Sequence, residues 1–329
     1  MTGQTRPALV LNQYTSTEGT QEIGDIHLVG EAGPRTELKV TGNSARNFEI
    51  KNNQLRLKAN GKAPQSGWQD VAISATAGGK TISDTFRIVH DQFISNKVIA
   101  HRGAWKNTRT TENSIAALNY AIEMGCEGSE FDIHMSSDSV LFINHDPEIS
   151  GLTIERTRAT ELAKLKLANG ESLPTLEAYL KEGLKQNKTK LILEIKPTRL
   201  GLERSRLLAG KVMELVRRLK AQAWVDYISF DYNICKELVR LDPYAHVAYL
   251  NGDKSPEDLA KDKIWGLDYH FSAYKKNPNW FVEARERNLT LNAWTVNDEE
   301  TMKWLLENKV DFITTNEPEL LLKIMAQKP

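Results

Sequence analysis

Apolar and polar positions alternate in short runs along the first 90 or so residues. Asp25-Ile-His-Leu-Val29, Glu37-Leu-Lys-Val40, Phe48-Glu-Ile-Lys51, Gln54-Leu-Arg-Leu-Lys58, Asp70-Val-Ala-Ile-Ser-Ala75 and Thr81-Ile-Ser-Asp-Thr-Phe-Arg-Ile-Val89 change character residue by residue. Period two marks strands with one buried face. Turn residues separate the runs: Gly33-Pro34, Asn52-Asn53, Asn60-Gly61 and Gly78-Gly79. No helical period intervenes. The pattern predicts a small antiparallel β-sandwich over 1–93, of immunoglobulin or cadherin type, read as an accessory module.

From about Lys97 the rhythm becomes apolar strand, then amphipathic helix, repeatedly. Strands are predicted at 97–101, 128–135, 140–144, 190–195, 227–230, 246–250, 264–269, 290–296 and 310–314. Several are continuous apolar runs, as in a parallel sheet covered on both faces. Helices are predicted at 113–124, 175–186, 203–219, 233–241, 279–287 and 298–308. Leu176, Tyr179, Leu180 and Leu184 share one helical face. A (β/α)8 barrel takes roughly 250 residues, and about 230 remain. The expected second domain, 94–329, is such a barrel. Nine strand signals leave one extra, placed as a hairpin arm near Val140–Asn144.

Composition narrows the classes. Hydrophobic residues make up 40% and charged residues 26% of the 329, ordinary for a globular protein. Lys and Arg number 43 against 43 Asp and Glu, which argues against a nucleic-acid binder. No run of 18 apolar residues marks a membrane span. Cys126 and Cys235 form no zinc or CxxC pattern and read as small buried side chains. The start Met1-Thr-Gly-Gln-Thr-Arg-Pro7 has no charged and then apolar leader. It is either a cytoplasmic start or an exported chain with its signal trimmed. The fused β-module favours a periplasmic or secreted protein.

In such a barrel, chemistry sits where strands end. The first strand ends in His101-Arg102-Gly103, the second contains Glu130 and Asp132, and the arm ends in His145-Asp146. Another carries Glu194 and Lys196, the seventh Asn292, Trp294 and Thr295, and the eighth ends in Thr314-Thr315-Asn316. Glu130 and Asp132, at i and i+2, share a strand face with α-carbons roughly 7 Å apart. Two such carboxylates repel. One divalent cation, Mg²⁺ or Ca²⁺, would resolve this, with Glu194 as third oxygen ligand; ion pairing with Arg102 and Lys196 is the alternative. His101 and His145 suit base and acid roles in transfer at phosphorus. Arg102 and Lys196 suit phosphate oxygens.

Other candidates are weaker. His134 is expected to face away from Asp132, as a packing or surface residue. His270 and Asp231 follow strands and either line the pocket or pack. His27, His90 and His246 show no partner in sequence. Trp224, Trp265, Trp280 and Trp304 fall on core positions.

His101-Arg102-Gly103, Glu112-Asn113, Glu130-x-Asp132, His145-Asp146 and Glu194-x-Lys196, in that order, resemble the glycerophosphodiester phosphodiesterase family. Leu173-Pro-Thr-Leu-Glu177 and Trp294-Thr-Val-Asn297 look similar too, so the resemblance covers about Val98 to Leu321. It implies a barrel that hydrolyses glycerophosphodiesters, a small-molecule substrate, to an alcohol and glycerol 3-phosphate with a divalent cation. Carried over, Glu130, Asp132 and Glu194 resemble the metal ligands, His101 and His145 the acid/base pair, and Arg102 and Lys196 the phosphate contacts. Trp294 matches a pocket aromatic, and Glu112 a position near the site. The turn Ser136-Ser-Asp-Ser139 departs from the family's usual Thr-Lys-Asp-Gly. The family's variable insertion follows His145 for about 45 residues, with a turn at Gly170–Pro174, and is expected to roof the pocket. Competing readings are a phospholipase D-like lyase releasing a cyclic phosphate, an inactive barrel in a glycan- or envelope-binding protein, and a glycosidase, which would give the histidines and Lys196 no purpose.

Overall fold

A computed structural model describes residues 7–30, 35–61 and 67–327. The turn expected at Gly33-Pro34 and the first six residues lie outside that range. The chain forms two compact units: Met1–Gln92 with Val216–Ala223 and Arg240–Ala245, and Phe93–Leu215 with Trp224–Val239 and His246–Pro329.

The first unit contains two four-stranded sheets. One runs Ala8–Leu11, Glu22–Val29, Gln54–Leu57, Phe48–Lys51 across its width; the other runs Thr15–Ser16, Lys80–His90, Trp68–Ala77, Arg35–Thr41. Inward residues of both sheets, among them Leu9, Ile26, Leu55, Val71, Ile73 and Phe86, form one apolar core. Two hairpins turn as their residues dictate. Asn52 and Asn53 have φ of 53° and 66°, and Gly78 and Gly79 have 53° and 75°, the doubly left-handed geometry that matches strand twist. The sandwich is not wholly antiparallel, because Thr15–Ser16 pairs parallel with Val89–His90. Alternation did not reveal Ala8–Leu11, which is apolar throughout, or the two-residue strand Thr15–Ser16.

The second unit is a closed parallel barrel. Its eight strands are β1 (Val98–Ala100), β2 (Gly128–Met135), β3 (Lys190–Ile195), β4 (Val225–Ser229), β5 (Val247–Tyr249), β6 (Gly266–His270), β7 (Thr290–Trp294) and β8 (Phe312–Thr315). Each pairs in parallel with the next, and β8 and β2 both pair with β1 to close the ring. The extra signal is the hairpin arm Leu141–Ile143, antiparallel to β2. All six predicted helices form. Ala159–Leu162, Pro256–Lys261, Phe271–Lys276 and Pro318–Ala326 are additional; the first three are at most six residues long, too short to display a period.

Alternation decides what faces the barrel axis. Leu267 and Tyr269 of β6 are fully buried, and Tyr269 packs on Tyr274 and Trp280 of the outer helices. The intervening Asp268 points inward. Ile99, Ile192, Ile228, Ala248 and Leu250 fill the axis, with Phe230, Trp265, Trp294 and Phe312 against them. Both cysteines are buried and free, as expected. No helix among the described residues is long and apolar enough to cross a membrane.

Candidate active site

The carboxyl ends of the strands surround a cavity of about 110 Å³. His101, Arg102, Glu130, His145, Glu194 and Lys196 line it with Trp294. Ile228, Phe230, Leu250, Asp268, Thr295 and Thr314 complete the wall. Most of the polar residues expected at strand ends therefore line one cavity, with Asp132 beside them.

The loop after β1 is built for close approach. Arg102 and Gly103 are left-handed, with φ of 56° and 78°, and a Cβ on Gly103 would lie 2.7 Å from the Ala117 backbone. This explains the glycine. The turn aims the Arg102 backbone N–H at Glu130 Oε2, 2.8 Å away, while one guanidinium nitrogen reaches both Glu112 oxygens at 2.9 Å. Glu112 does not line the cavity; it holds Arg102. Asn113, also left-handed at 58°, donates to Asp132 Oδ2 at 2.8 Å and accepts the Asp132 backbone N–H at 3.1 Å. Left-handed non-glycine residues store strain, and here two of them hold site residues.

Glu130, Asp132 and Glu194 are almost entirely buried and offer oxygens within 4.8 Å of one another. Lys196 Nζ sits 2.8 Å from Asp132 Oδ1 and 2.7 Å from Glu194 Oε1. Both readings of this cluster, ion pairing and a cation site, thus have geometry behind them. Burial raises Glu194 to about 8, with Asp132 adding to the effect and Lys196 opposing it. Burial and the charges of Asp132 and Glu194 push Glu130 well above the usual range. Burial also works against the charged form of Asp132, but Lys196 and Asn113 outweigh it and lower its pKa. Three buried carboxylates share two basic neighbours, and Glu130 Oε1 accepts no hydrogen bond. Such an all-oxygen cluster fits a hard divalent cation.

The two histidines differ. His101 is held by Asn316, whose Oδ1 lies 2.8 Å from its Nδ1. With Nδ1–H donating there, Nε2 is free and 3.9 Å from Glu130. Burial, then the nearby Arg102, lowers His101 to about 4, so the ring is neutral near neutral pH. His145 is about one-third exposed, with Nδ1 2.8 Å from Asp146.

Several minor expectations change or are decided. His134 does not turn away from the site: positions 132 and 134 share a strand face. The ring is buried, with Nε2 3.1 Å from the His145 carbonyl oxygen. His270 and Asp231 do not line the cavity. His270 caps the helix Phe271–Lys276, and Asp231 accepts from Ser205 at 2.7 Å. His246 gains a partner in Asp226 at 3.0 Å and stacks on Trp265. His27 stacks on Tyr244. No residue of 147–189 lines the cavity, so the insertion is not its roof. Its apolar residues Ile154, Leu162 and Leu173 instead pack with Phe142 of the arm. Glu171, in the expected turn, receives the backbone N–H groups of Ile115 and Ala116 at 3.0 and 3.2 Å.

Asp268 escaped the sequence reading, although a lone acid inside Gly266-Leu-Asp-Tyr-His270 obeys the same rule that singled out Glu130 and Asp132.

A parallel barrel whose rim gathers two histidines, three carboxylates and two basic side chains defines an enzyme of phosphate-ester chemistry. Comparison with known proteins gives the family. The Glycerophosphoryl diester phosphodiesterase family model matches residues 101–320, and the chain belongs to that family of phosphoric diester hydrolases. A glycerophosphodiester phosphodiesterase from Caldanaerobacter subterraneus subsp. tengcongensis is 28% identical over 70% of this chain and 98% of its own. A glycerophosphodiester phosphodiesterase structure from Parabacteroides distasonis is 43% identical with a TM-score of 0.69, covering 71% of this chain and 98% of that one. A phosphodiesterase from Oleispira antarctica, in complex with its product sn-glycerol 3-phosphate, shares the fold at 23% identity and a TM-score of 0.60, over 70% and 97% of the two chains.

Proposed function

We propose that the enzyme hydrolyses glycerophosphodiesters to an alcohol and glycerol 3-phosphate. In this reading His101 and His145 handle protons, and one divalent cation, Mg²⁺ or Ca²⁺, is held by Glu130, Asp132 and Glu194. The supporting observation is the convergence of an oriented imidazole, two basic side chains and a buried carboxylate cluster on one cavity.

Arg102 and Lys196 draw the phosphate oxygens into the cavity mouth and offset their charge. Glu112 fixes the guanidinium plane, and Asp132 and Glu194 fix the ammonium. His101, with Nδ1–H committed to Asn316, accepts at Nε2 the proton of the attacking hydroxyl, from water or from the substrate's own glycerol. His145 gives a proton to the departing alkoxide. When bound, a divalent cation supplies further charge stabilisation at the phosphate oxygens. Ile228, Phe230 and Leu250 keep the inner wall dry, which strengthens each of these interactions.

The test measures glycerol 3-phosphate released from glycerophosphocholine and glycerophosphoethanolamine with Mg²⁺, with Ca²⁺ and with EDTA, and follows the products by phosphorus NMR. Release that depends on metal is expected. A folded protein that releases no glycerol 3-phosphate under any condition overturns the reading, and a cyclic phosphate as final product replaces it with the lyase reaction.

A further inference from the structure

The insertion after His145 lines none of the cavity, yet one of its turns grips the loop that organises the site. That turn is closed by the Leu173 N–H, which donates to the Leu165 carbonyl at 3.0 Å, and the Leu167 N–H, which donates to that of Glu171 at 2.8 Å. Asn169 braces Glu171 within it. Its Oδ1 accepts the Glu171 backbone N–H at 3.2 Å, and its amide donates to Glu171 Oε1 at 2.7 Å. Leu173 is buried in the apolar cluster with Phe142, so the turn stands on a packed base.

From there the turn reaches the loop before the helix Ile115–Met124 on both sides of Glu112-Asn113. Upstream, Thr111 Oγ1 accepts the Asn169 backbone N–H at 2.9 Å, and Thr110 Oγ1 accepts its amide at 3.0 Å. Downstream, the two Glu171 oxygens accept the backbone N–H groups of Ile115 and Ala116, one each. These groups open a helix and have no partner within it. The helix carries no acidic residue in its own first turn, and a carboxylate at that place also meets the positive end of its dipole.

Only Glu112, Asn113 and Ser114 lie between the two attachments, and the first two reach out of the loop to the site. Glu112 holds the Arg102 guanidinium, and the Asn113 side chain holds Asp132. The Asn113 backbone N–H donates to the Arg102 carbonyl at 2.9 Å. Asn113 does this from a left-handed conformation, which persists only where its surroundings over-determine it. The attachments on either side supply that constraint. A helix cap alone would need no second contact at Thr110 and Thr111.

We propose that Glu171 is a positioning residue of the active site: it fixes the Glu112-Asn113 loop, and through that loop Arg102 and Asp132. The insertion thereby governs substrate binding without lining the cavity. This rests on the phosphodiesterase reading above and adds a residue to its machinery.

The test measures kcat and KM for glycerol 3-phosphate release from glycerophosphoethanolamine at saturating Mg²⁺ or Ca²⁺. It compares the wild type with Glu171→Ala, Glu112→Gln and the double variant. Ser255→Ala is the control, because it removes a comparable cap, on the Asp258 N–H at 3.2 Å, from a helix elsewhere in the barrel. Arg102 meets the phosphate before and during the reaction, so its loosening is read in KM rather than in kcat. Glu171→Ala should raise KM about fivefold, with kcat within about twofold, a smaller effect than losing a direct partner of a site residue. Ser255→Ala should leave KM where it is. In the double variant the rise should fall well short of the product of the two single effects, since both act through one contact. A folded Glu171→Ala with the wild-type KM overturns the proposal. So does an equal rise in Ser255→Ala, which means general loosening, or a fully multiplicative double variant, which means that Glu171 acts elsewhere. If Glu171→Ala does not fold, Asn169→Ala in the exposed turn decides the matter. A rise in KM of about twofold is expected there, and an unchanged KM overturns the proposal. A wild type that releases no glycerol 3-phosphate overturns the phosphodiesterase reading and this inference with it, whereas turnover with an unmoved KM removes only the inference.

Discussion

The two units bury their strands in the same geometric way around apolar cores, and the barrel adds buried charge to its own. Among the described residues, the strands of the β-unit bury apolar side chains with one polar exception, Ser16; the barrel strands bury Glu130, Asp132, Glu194, Asp226 and Asp268. A hydrophobic interior is what stability alone selects. Buried charge opposes folding unless paired, so its accumulation at one end of one unit marks where stability gives way to function. Asp226 illustrates the paired case: toward the amino end of β4, it is matched by His246 at 3.0 Å.

If that contrast is right, substitutions in the two units should separate activity from stability. The largest effect is expected from His101→Ala. Glycerol 3-phosphate release should fall by roughly 10² to 10⁴-fold, with a melting temperature close to wild type. A folded, fully active variant would falsify the assignment of His101. Phe86→Ala in the β-unit core should do the reverse. Removing a fully buried ring should destabilise that unit by about 3–5 kcal/mol, read by chemical denaturation, while kcat of the folded protein holds. A parallel loss of kcat would break the separation of roles.

A third test concerns pH. Asp268 is raised in the folded state to about 7 from an ordinary 3.8, so the fold binds its proton more tightly than the unfolded chain does. Its stabilising contribution is complete below about pH 4 and is lost as pH climbs through 7, by about 4 kcal/mol at most. Asp268→Asn lacks that loss. Its melting temperature relative to wild type should therefore rise between pH 5 and pH 8, and a constant difference would mean that Asp268 is not a buried, unpaired acid. The smallest effect is expected at Ser114, which caps the helix Ile115–Met124 through the Ala117 N–H at 3.0 Å. Ser114→Ala should cost about 1 kcal/mol. Because Asn113 beside it holds Asp132, a small rise in KM should accompany the loss; an unchanged KM would show that the loop is positioned without its cap.

Much of the site was legible because strand periodicity is local physics. Glu130 and Asp132 at i and i+2 had to share a face, and the same rule, applied consistently, would have placed His134 with them. The family resemblance supplied Glu112 and a task for Trp294, but not the way Glu112 acts, through Arg102. Asn316 was visible at a strand end without a task; its contact spans 215 residues to His101, and no local pattern encodes that. Asp268 was hidden by its neighbour His270, the more conspicuous titratable residue, which turned out to cap a helix.

The sequence by itself determined the order of elements, the hairpin turns at Asn52-Asn53 and Gly78-Gly79, and the set of polar residues at strand ends. Each follows from backbone preferences and periods that act over a few residues. Only the tertiary structure decided which of those residues meet. Closing eight strands sets β2 and β6 across the ring from each other and leaves the buried Asp268 without an ion-pair partner among the described residues. It also turns the insertion onto the hairpin arm rather than over the cavity. Those outcomes depend on ring closure and packing between distant segments, which no local pattern specifies.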